Sequence, residues 1–95
     1  MTEKEITELQ KKAGVYETQI NINTGIIWGF EGSVGRAAMQ MLEDGICMLS
    51  KESTHDYWGN RLPSRDEVEQ GTKGSLENCI KYWSNYEEEE INNDY

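Results

Sequence analysis

The most chemically varied stretch of the chain lies between residues 53 and 65. It contains two aromatic and two arginine side chains: Tyr57, Trp58, Arg61 and Arg65. Aromatic rings stack on planar ligands and guanidinium groups hold phosphates, so this cluster suits a nucleotide-like anion. The same residue types dominate the hot spots of protein interfaces. A third interpretation is local: Trp58 packs into the core, and the arginines pair with Asp56 or Asp66. The sequence leaves these alternatives open.

A second candidate anion site is the glycine-rich corner before a predicted helix. Ser33 and Arg36 lie there beside Gly32 and Gly35. Unpaired amides at a helix N-terminus bind anions. The corner lacks the lysine of a P-loop, and the neighbouring Glu31 disfavours anions, so a tight turn with an ordinary N-cap is the simpler interpretation. The candidate ligand-binding residues are therefore Ser33, Arg36, Trp58, Arg61 and Arg65.

Patterns typical of catalysis and metal binding are missing from the sequence. The single histidine, His55, precedes Asp56, but no serine or cysteine lies in a nucleophile motif. Cys47, His55 and Cys79 lack the closely spaced ligand pairs of structural zinc sites. We therefore expect a non-enzymatic protein with no catalytic residues, metal or cofactor. Both cysteines are predicted to be free core residues.

The chain is strongly acidic. Its 95 residues include 18 aspartates and glutamates against 9 lysines and arginines, a formal net charge of −9. Phosphate contacts need a basic face, so we do not expect direct binding to nucleic acid. The simpler interpretation of the charge is solubility; the sharper one is a surface that binds a basic, nucleic-acid-binding protein. The predicted partner-binding residues are Glu43, Asp44, Asp66, Glu67, Glu69, Tyr57 and Trp58.

In size and acidity the chain resembles small phage-encoded anti-defence proteins, such as anti-restriction and anti-CRISPR inhibitors. The resemblance covers no aligned segment, so no residue role is transferred. It implies a stoichiometric inhibitor, a nucleic-acid mimic that occupies the basic surface of a larger effector. The alternative function is a small-ligand binder that sequesters a nucleotide-like anion. Because no apolar run suggests a membrane span or signal peptide, a cytoplasmic location is expected, in the host cytoplasm if the protein is phage-encoded.

The elements that position these residues are predicted to form one small α+β domain over residues 1–86. Residues 87–95 are predicted to be a disordered acidic tail. Residues 16–22 and 26–30 alternate apolar and polar side chains, which predicts a β-hairpin. A loop with Gly25 in the left-handed conformation pairs Ile22 with Ile26 and places the large apolar side chains on one face.

Helices are predicted to cover this hairpin, in the order α-β-β-α-α. The first carries a capping box at Thr2 and Glu5 and ends at Gly14, and the others begin near Ser33 and Ser75. The Ser33 helix is predicted to cross Gly45 and reach about residue 50; in the alternative, it ends at Gly45 and residues 46–49 form a third strand. Because the chain has many large rings for few covering helices, we also expect a homodimer.

Overall fold

The computed structural model describes residues 1–30 and 32–92, with the side chains of residues 1–30 and 32–86. The elements, in chain order, are helix α1 (Glu3–Ala13), helix α2 (Tyr16–Thr24), a 3₁₀ helix (Ile26–Gly29), helix α3 (Gly32–Asp44), strands β1 (Thr54–His55) and β2 (Arg61–Leu62), and helix α4 (Leu76–Asn92). The two strands form an antiparallel hairpin. The predicted α+β class is confirmed, with helix predominating. None of the helices in the described residues has the length and apolar content needed to cross a bilayer.

The hairpin lies in a different part of the chain from the predicted one. The residues expected to form two strands form α2 and the 3₁₀ helix instead. In α2, Gln19 and Ile22 are buried on one helical face, whereas Ile20 is 40% exposed. Gly25 does adopt the left-handed conformation, with φ of +81°, but it caps the end of α2. The predicted pairing of Ile22 with Ile26 is therefore wrong.

The core is built around residues 46–50, a buried segment that is neither helix nor strand. Helix α3 ends at Asp44, and Gly45 follows with φ of +91°. A β-carbon built on Gly45 would lie 2.6 Å from the carbonyl oxygen of Asn78, so close packing also requires glycine there. The predicted continuation of the helix across Gly45 is wrong, and the alternative third strand does not form either.

Side-chain amides satisfy the backbone of this segment in place of a neighbouring strand. The amide of Gln19 contacts Met48 twice: it accepts from the backbone N–H at 2.9 Å and donates to the carbonyl oxygen at 2.8 Å. The carbonyl oxygen of Ile46 accepts from Gln10 Nε2 at 2.9 Å and from Trp83 Nε1 at 3.0 Å. These donors come from α1, α2 and α4, so the segment ties three helices together. Its contacts also explain why residues 16–24 are helical, since α2 turns Gln19 and Ile22 toward the same core.

Successive side chains of the segment enter two apolar clusters. Cys47 and Leu49 pack with the first, and Met48 packs with the second. The first also contains Ile22, Ile27, Trp28, Ala38 and Leu42; the second contains Ile6, Leu9, Cys79 and Trp83. Both cysteines are free and fully buried, as predicted, and desolvation raises the pKa of each thiol to about 12.

Local signals at the helix ends are confirmed. The Thr2 and Glu5 capping box forms, and Gly14 ends α1 in the left-handed conformation. The hydroxyl of Ser75 accepts from the backbone N–H of Asn78 at 3.1 Å, which caps α4. Helix α4 extends through the glutamates at 87–90, whose side chains lie outside the described residues, as do residues 93–95. The acidic tail therefore stays a prediction.

Candidate functional site

The loop of the hairpin, residues 56–60, presents Tyr57 and Trp58 to solvent. Their side chains are 71% and 81% exposed, the highest values for large apolar residues among the described residues. The two rings contact each other edge to face, with centroids 5.0 Å apart. Exposed aromatic groups of this kind mark interaction sites, because burying them later releases a large free energy. We call Tyr57 and Trp58 the aromatic tip.

Hydrogen bonds to Asp56 fix the shape of this loop. Its Oδ1 accepts from the backbone N–H groups of Trp58 at 2.9 Å and Asn60 at 2.8 Å, and its Oδ2 accepts from the Asn60 side chain at 3.2 Å. Desolvation alone would raise the pKa of Asp56, but the hydrogen bonds from Asn60 and Trp58 outweigh it and hold the pKa below its ordinary value. The loop is therefore built around a charged carboxylate.

The loop is also anchored to the 3₁₀ helix behind it. The backbone N–H of Tyr57 donates to the carbonyl oxygen of Trp28 at 3.1 Å. Below it, Thr54 of β1 packs on Gly25, where a β-carbon would lie 3.0 Å from Thr54 Cγ2. Because Trp28 belongs to the first core cluster, this bond attaches the backbone of the aromatic tip to the core. The loop backbone is preorganised, so it loses little conformational entropy when a partner binds.

A groove of about 590 Å³ lies between the aromatic tip and the first half of α3. We call it the aromatic groove; its principal walls are Trp28, Phe30, Arg36, Met39, Tyr57 and Trp58. Phe30 is 47% exposed, and Gly32 and Gly35 contribute walls without side chains. Small-molecule sites have this size and this mixture of apolar walls with a few polar groups.

Two residues that line the aromatic groove, Trp28 and Arg36, have hydrogen-bond donors without a partner among the described residues. Trp28 is 7% exposed, and its buried indole Nε1–H has no hydrogen-bond partner among the described residues. The guanidinium of Arg36 lies over Gly32, where a β-carbon would be 3.0 Å from Nη1. Within residues 1–30 and 32–92, Arg36 makes no ion pair. Asp56 also lines the groove, and its oxygens accept three hydrogen bonds from the loop.

The structure brings only two of the five predicted ligand-binding residues together. Arg36 and Trp58 both line the aromatic groove, whereas Ser33 lies beside it without lining it. Arg61 Nη2 pairs with Glu67 Oε1 at 2.6 Å, on an exposed part of the surface away from the groove lining. The predicted site therefore does not form as a single cluster.

Arg65 has a structural role in the fold. It is 5% exposed; its Nε donates to the carbonyl oxygen of Leu49 at 2.7 Å, and its Nη1 pairs with Glu3 at 2.5 Å. The interpretation that the two arginines pair with Asp56 or Asp66 is wrong: Arg61 pairs with Glu67, and Arg65 pairs with Glu3 near the start of the chain. The companion idea that Trp58 packs into the core is wrong.

The predicted partner-binding residues are spread over the surface. Glu43 and Asp44 lie at the end of α3 that is farther from the aromatic groove, about 18 Å along the helix axis from Gly32. Glu67 is occupied by the fold: the backbone N–H of Ser64 and then the Arg61 side chain lower its pKa to about 2. The contact between Glu67 and the Ser64 N–H closes a turn and not a helix. Asp66 and Glu69 are exposed.

Sequence reasoning missed three residues of the aromatic groove: Trp28, Phe30 and Met39. The hairpin prediction placed Trp28 and Phe30 on a covered strand face, so neither was considered as a wall of a site. The turn residues Gly59 and Asn60 do predict the loop from sequence, but they give no sign of the groove behind it. Of the rings behind the homodimer prediction, Trp28 and Trp83 are buried, while Phe30 and Trp58 remain exposed. The homodimer itself stays a prediction.

No group of three or more metal-binding side chains converges within the described residues. Cys47 and Cys79 are buried, whereas His55 is exposed on β1. Comparison of the chain with protein-family models, curated proteins and solved structures gave no match in any of the three. Function must therefore be argued from the geometry and charge of the chain itself.

Proposed function

We propose that this protein is a non-enzymatic, stoichiometric inhibitor that binds a larger basic protein through the aromatic tip. The observation that supports this proposal is the preorganised exposure of Tyr57 and Trp58, which are 71% and 81% exposed. Tryptophan and tyrosine side chains provide much of the binding energy of protein interfaces. The hydrogen bonds to Asp56 and the bond from the Tyr57 N–H to Trp28 hold the backbone of the loop in place before a partner arrives, which favours affinity.

The charge of the chain determines which partner it suits. With a net charge of −9, it is attracted to basic proteins and repelled by nucleic acid. Nucleic-acid-binding proteins present such basic surfaces, and an acidic inhibitor that covers one would displace its nucleic acid. We place this activity in the cytoplasm, in the host cytoplasm if the protein is phage-encoded, as the anti-defence resemblance implies.

Heparin-binding proteins from a bacterial lysate, passed over the immobilised full chain, would test this proposal. Each retained protein is then purified and mixed with a fluorescent DNA duplex, and displacement of the duplex is followed by anisotropy. We expect the protein to release the duplex at one-to-one stoichiometry. Trp58→Ala should abolish this release, while Ile20→Ala, which truncates an exposed apolar residue on α2, should preserve it.

Two results would contradict the proposal. Retained proteins that bind Trp58→Ala as tightly as the original chain would exclude the aromatic tip as the anchor. Retained proteins that keep their duplex when saturated with the chain would exclude an inhibitor of nucleic-acid binding.

A further inference from the structure

We propose that the aromatic groove is a binding site for a planar aromatic carboxylate, with the ring between Phe30 and Trp58 and the carboxylate on Arg36. This inference goes beyond the proposed function, because it concerns the interior walls of the groove and does not depend on a protein partner. It rests on the shape of the groove, on the donors left open in it and on the charge opposite them.

The walls of the groove suit a flat apolar group. Phe30 and Trp58, which are 47% and 81% exposed, both line a volume of about 590 Å³. At Gly35 a β-carbon would have no atom within 4 Å, so this wall of α3 is open. A ring that enters the groove covers aromatic and methionine side chains and is stabilised by stacking and loss of water contact.

The open donors indicate the polar part of the ligand. A guanidinium binds a carboxylate through two parallel hydrogen bonds, and Arg36 has no ion-pair partner among the described residues. Trp28, in the same groove, has a buried Nε1–H without an acceptor in the described part of the chain. An unpaired buried donor is unfavourable, but this N–H lies beneath the surface, so the guanidinium of Arg36 is the donor that a ligand in the groove would meet.

The surrounding charge favours a carboxylate over a phosphate. Asp56 lines the groove opposite Arg36 and is held in its charged form by the loop hydrogen bonds. A doubly charged phosphate would be repelled by Asp56 and would need further cations. Arg61 and Arg65 are already paired with Glu67 and Glu3. Among the residues that the structure describes, the groove therefore has one available guanidinium, which matches a single negative charge.

Binding of three probes to the full chain would test the site: indole-3-acetate, its neutral amide indole-3-acetamide, and adenosine monophosphate. Titrations are followed by calorimetry and by the indole N–H signals of Trp28 and Trp58 in NMR spectra. We expect saturable binding of indole-3-acetate, at least about tenfold tighter than that of the amide, because the charge-assisted hydrogen bonds to Arg36 are lost with the amide. Adenosine monophosphate should bind more weakly than indole-3-acetate.

Three variants assign the binding to the groove. Arg36→Gln should remove the difference between acid and amide. Gly35→Met should abolish binding of both, because the new side chain enters the groove, while α3 is retained since methionine is the better helix former. Arg61→Gln, which removes an arginine paired outside the groove, should leave the acid-to-amide ratio unchanged.

The proposal is overturned if indole-3-acetate does not bind saturably, or if acid and amide bind equally. It is also overturned if adenosine monophosphate binds more tightly than indole-3-acetate, or if Gly35→Met binds as the original chain does. Failure of these titrations leaves the inhibitor proposal intact, because that proposal is tested by protein capture and duplex release and not by binding in the groove.

Discussion

At the scale of single residues, Gln19 supplies the backbone hydrogen bonds that a neighbouring strand would otherwise give Met48. Its side-chain amide meets Met48 through one donor and one acceptor, as a peptide group would, and also bonds Gln10 and Asn23. Buried backbone groups need such partners, since an unpaired N–H or C=O is costly away from water. Together with the side chains that bond Ile46 and Leu49, Gln19 therefore allows residues 46–50 to cross the core without a sheet.

We expect Gln19→Leu to lower the free energy of unfolding by about 2–4 kcal/mol, because Met48 loses both partners inside the core. Urea denaturation followed by far-ultraviolet circular dichroism measures the change. Gln40→Leu provides the control: Gln40 bonds Asp44 on the exposed side of α3, so its loss should matter by less than about 0.5 kcal/mol. Similar changes in the two variants would refute the role assigned to Gln19.

The two arginines of the loop region make a matched comparison. Arg65 is buried between the carbonyl oxygen of Leu49 and Glu3, whereas the Arg61 pair with Glu67 is about half exposed. We expect Arg65→Met to destabilise the fold by about 2–3 kcal/mol and Arg61→Met by less than about 1 kcal/mol. Thermal unfolding of both variants side by side decides the matter, and an equal loss would contradict a structural role specific to Arg65.

At the scale of elements, the features that sequence predicted correctly are the ones specified locally. Thr2 with Glu5, Gly14 and Ser75 each define a helix end through contacts within a few residues. The hairpin prediction failed because residues 16–24 alternate like a strand but form a helix, whose Gln19 bonds Met48 far along the chain. The true strands have two residues each, too few for any periodicity. Tyr57, Trp58 and Arg36 could be named as candidates because their residue types alone suggest binding. The groove between them could not, because it depends on how distant segments pack.

The hairpin and the turn that follows it should respond to acid. Asp56 and Glu67 both have lowered pKa values, that of Glu67 reaching about 2, because their charged forms accept hydrogen bonds in the fold. A carboxylate with a lowered pKa stabilises the fold above its unfolded value, near about 4, and that stabilisation is lost as the pH falls through the folded value. Amide exchange at Trp58 and Asn60 should therefore accelerate as the pH falls below about 4, relative to exchange in the helices.

Asp56→Asn gives the control for this acid response. Asparagine keeps an acceptor oxygen for the loop but does not titrate, so exchange at Trp58 should become less dependent on pH. An unchanged pH dependence in this variant, or loop exchange that is no faster relative to the helices at pH 2 than at pH 5, would show that the carboxylate does not control the loop.

At the scale of the whole molecule, the aromatic tip and groove belong to a strongly acidic chain, which we call the acidic body. Among the described residues, the lining of the aromatic groove includes one cation and one carboxylate, Arg36 and Asp56, while the chain as a whole has a net charge of −9. Protein interfaces commonly combine a desolvated anchor with surrounding charges that act at longer range. The two parts should therefore control different steps of binding to a basic partner.

For the partner isolated by the capture experiment, we expect the acidic body to set the association rate and the aromatic tip to set the dissociation rate. Neutralising Asp66 and Glu69, which are exposed and lie outside the Arg61 pair, should slow association severalfold at low salt, and the difference should vanish near about 0.5 M salt as charges are screened. Lys73→Gln should accelerate association, since it removes an exposed positive charge and makes the acidic chain more negative. Trp58→Ala should instead raise the dissociation rate by about tenfold or more. Stopped-flow mixing at several salt concentrations separates the two rates. Association that is indifferent to salt, or slowed equally by Lys73→Gln, would mean that charge does not steer this protein to its partner.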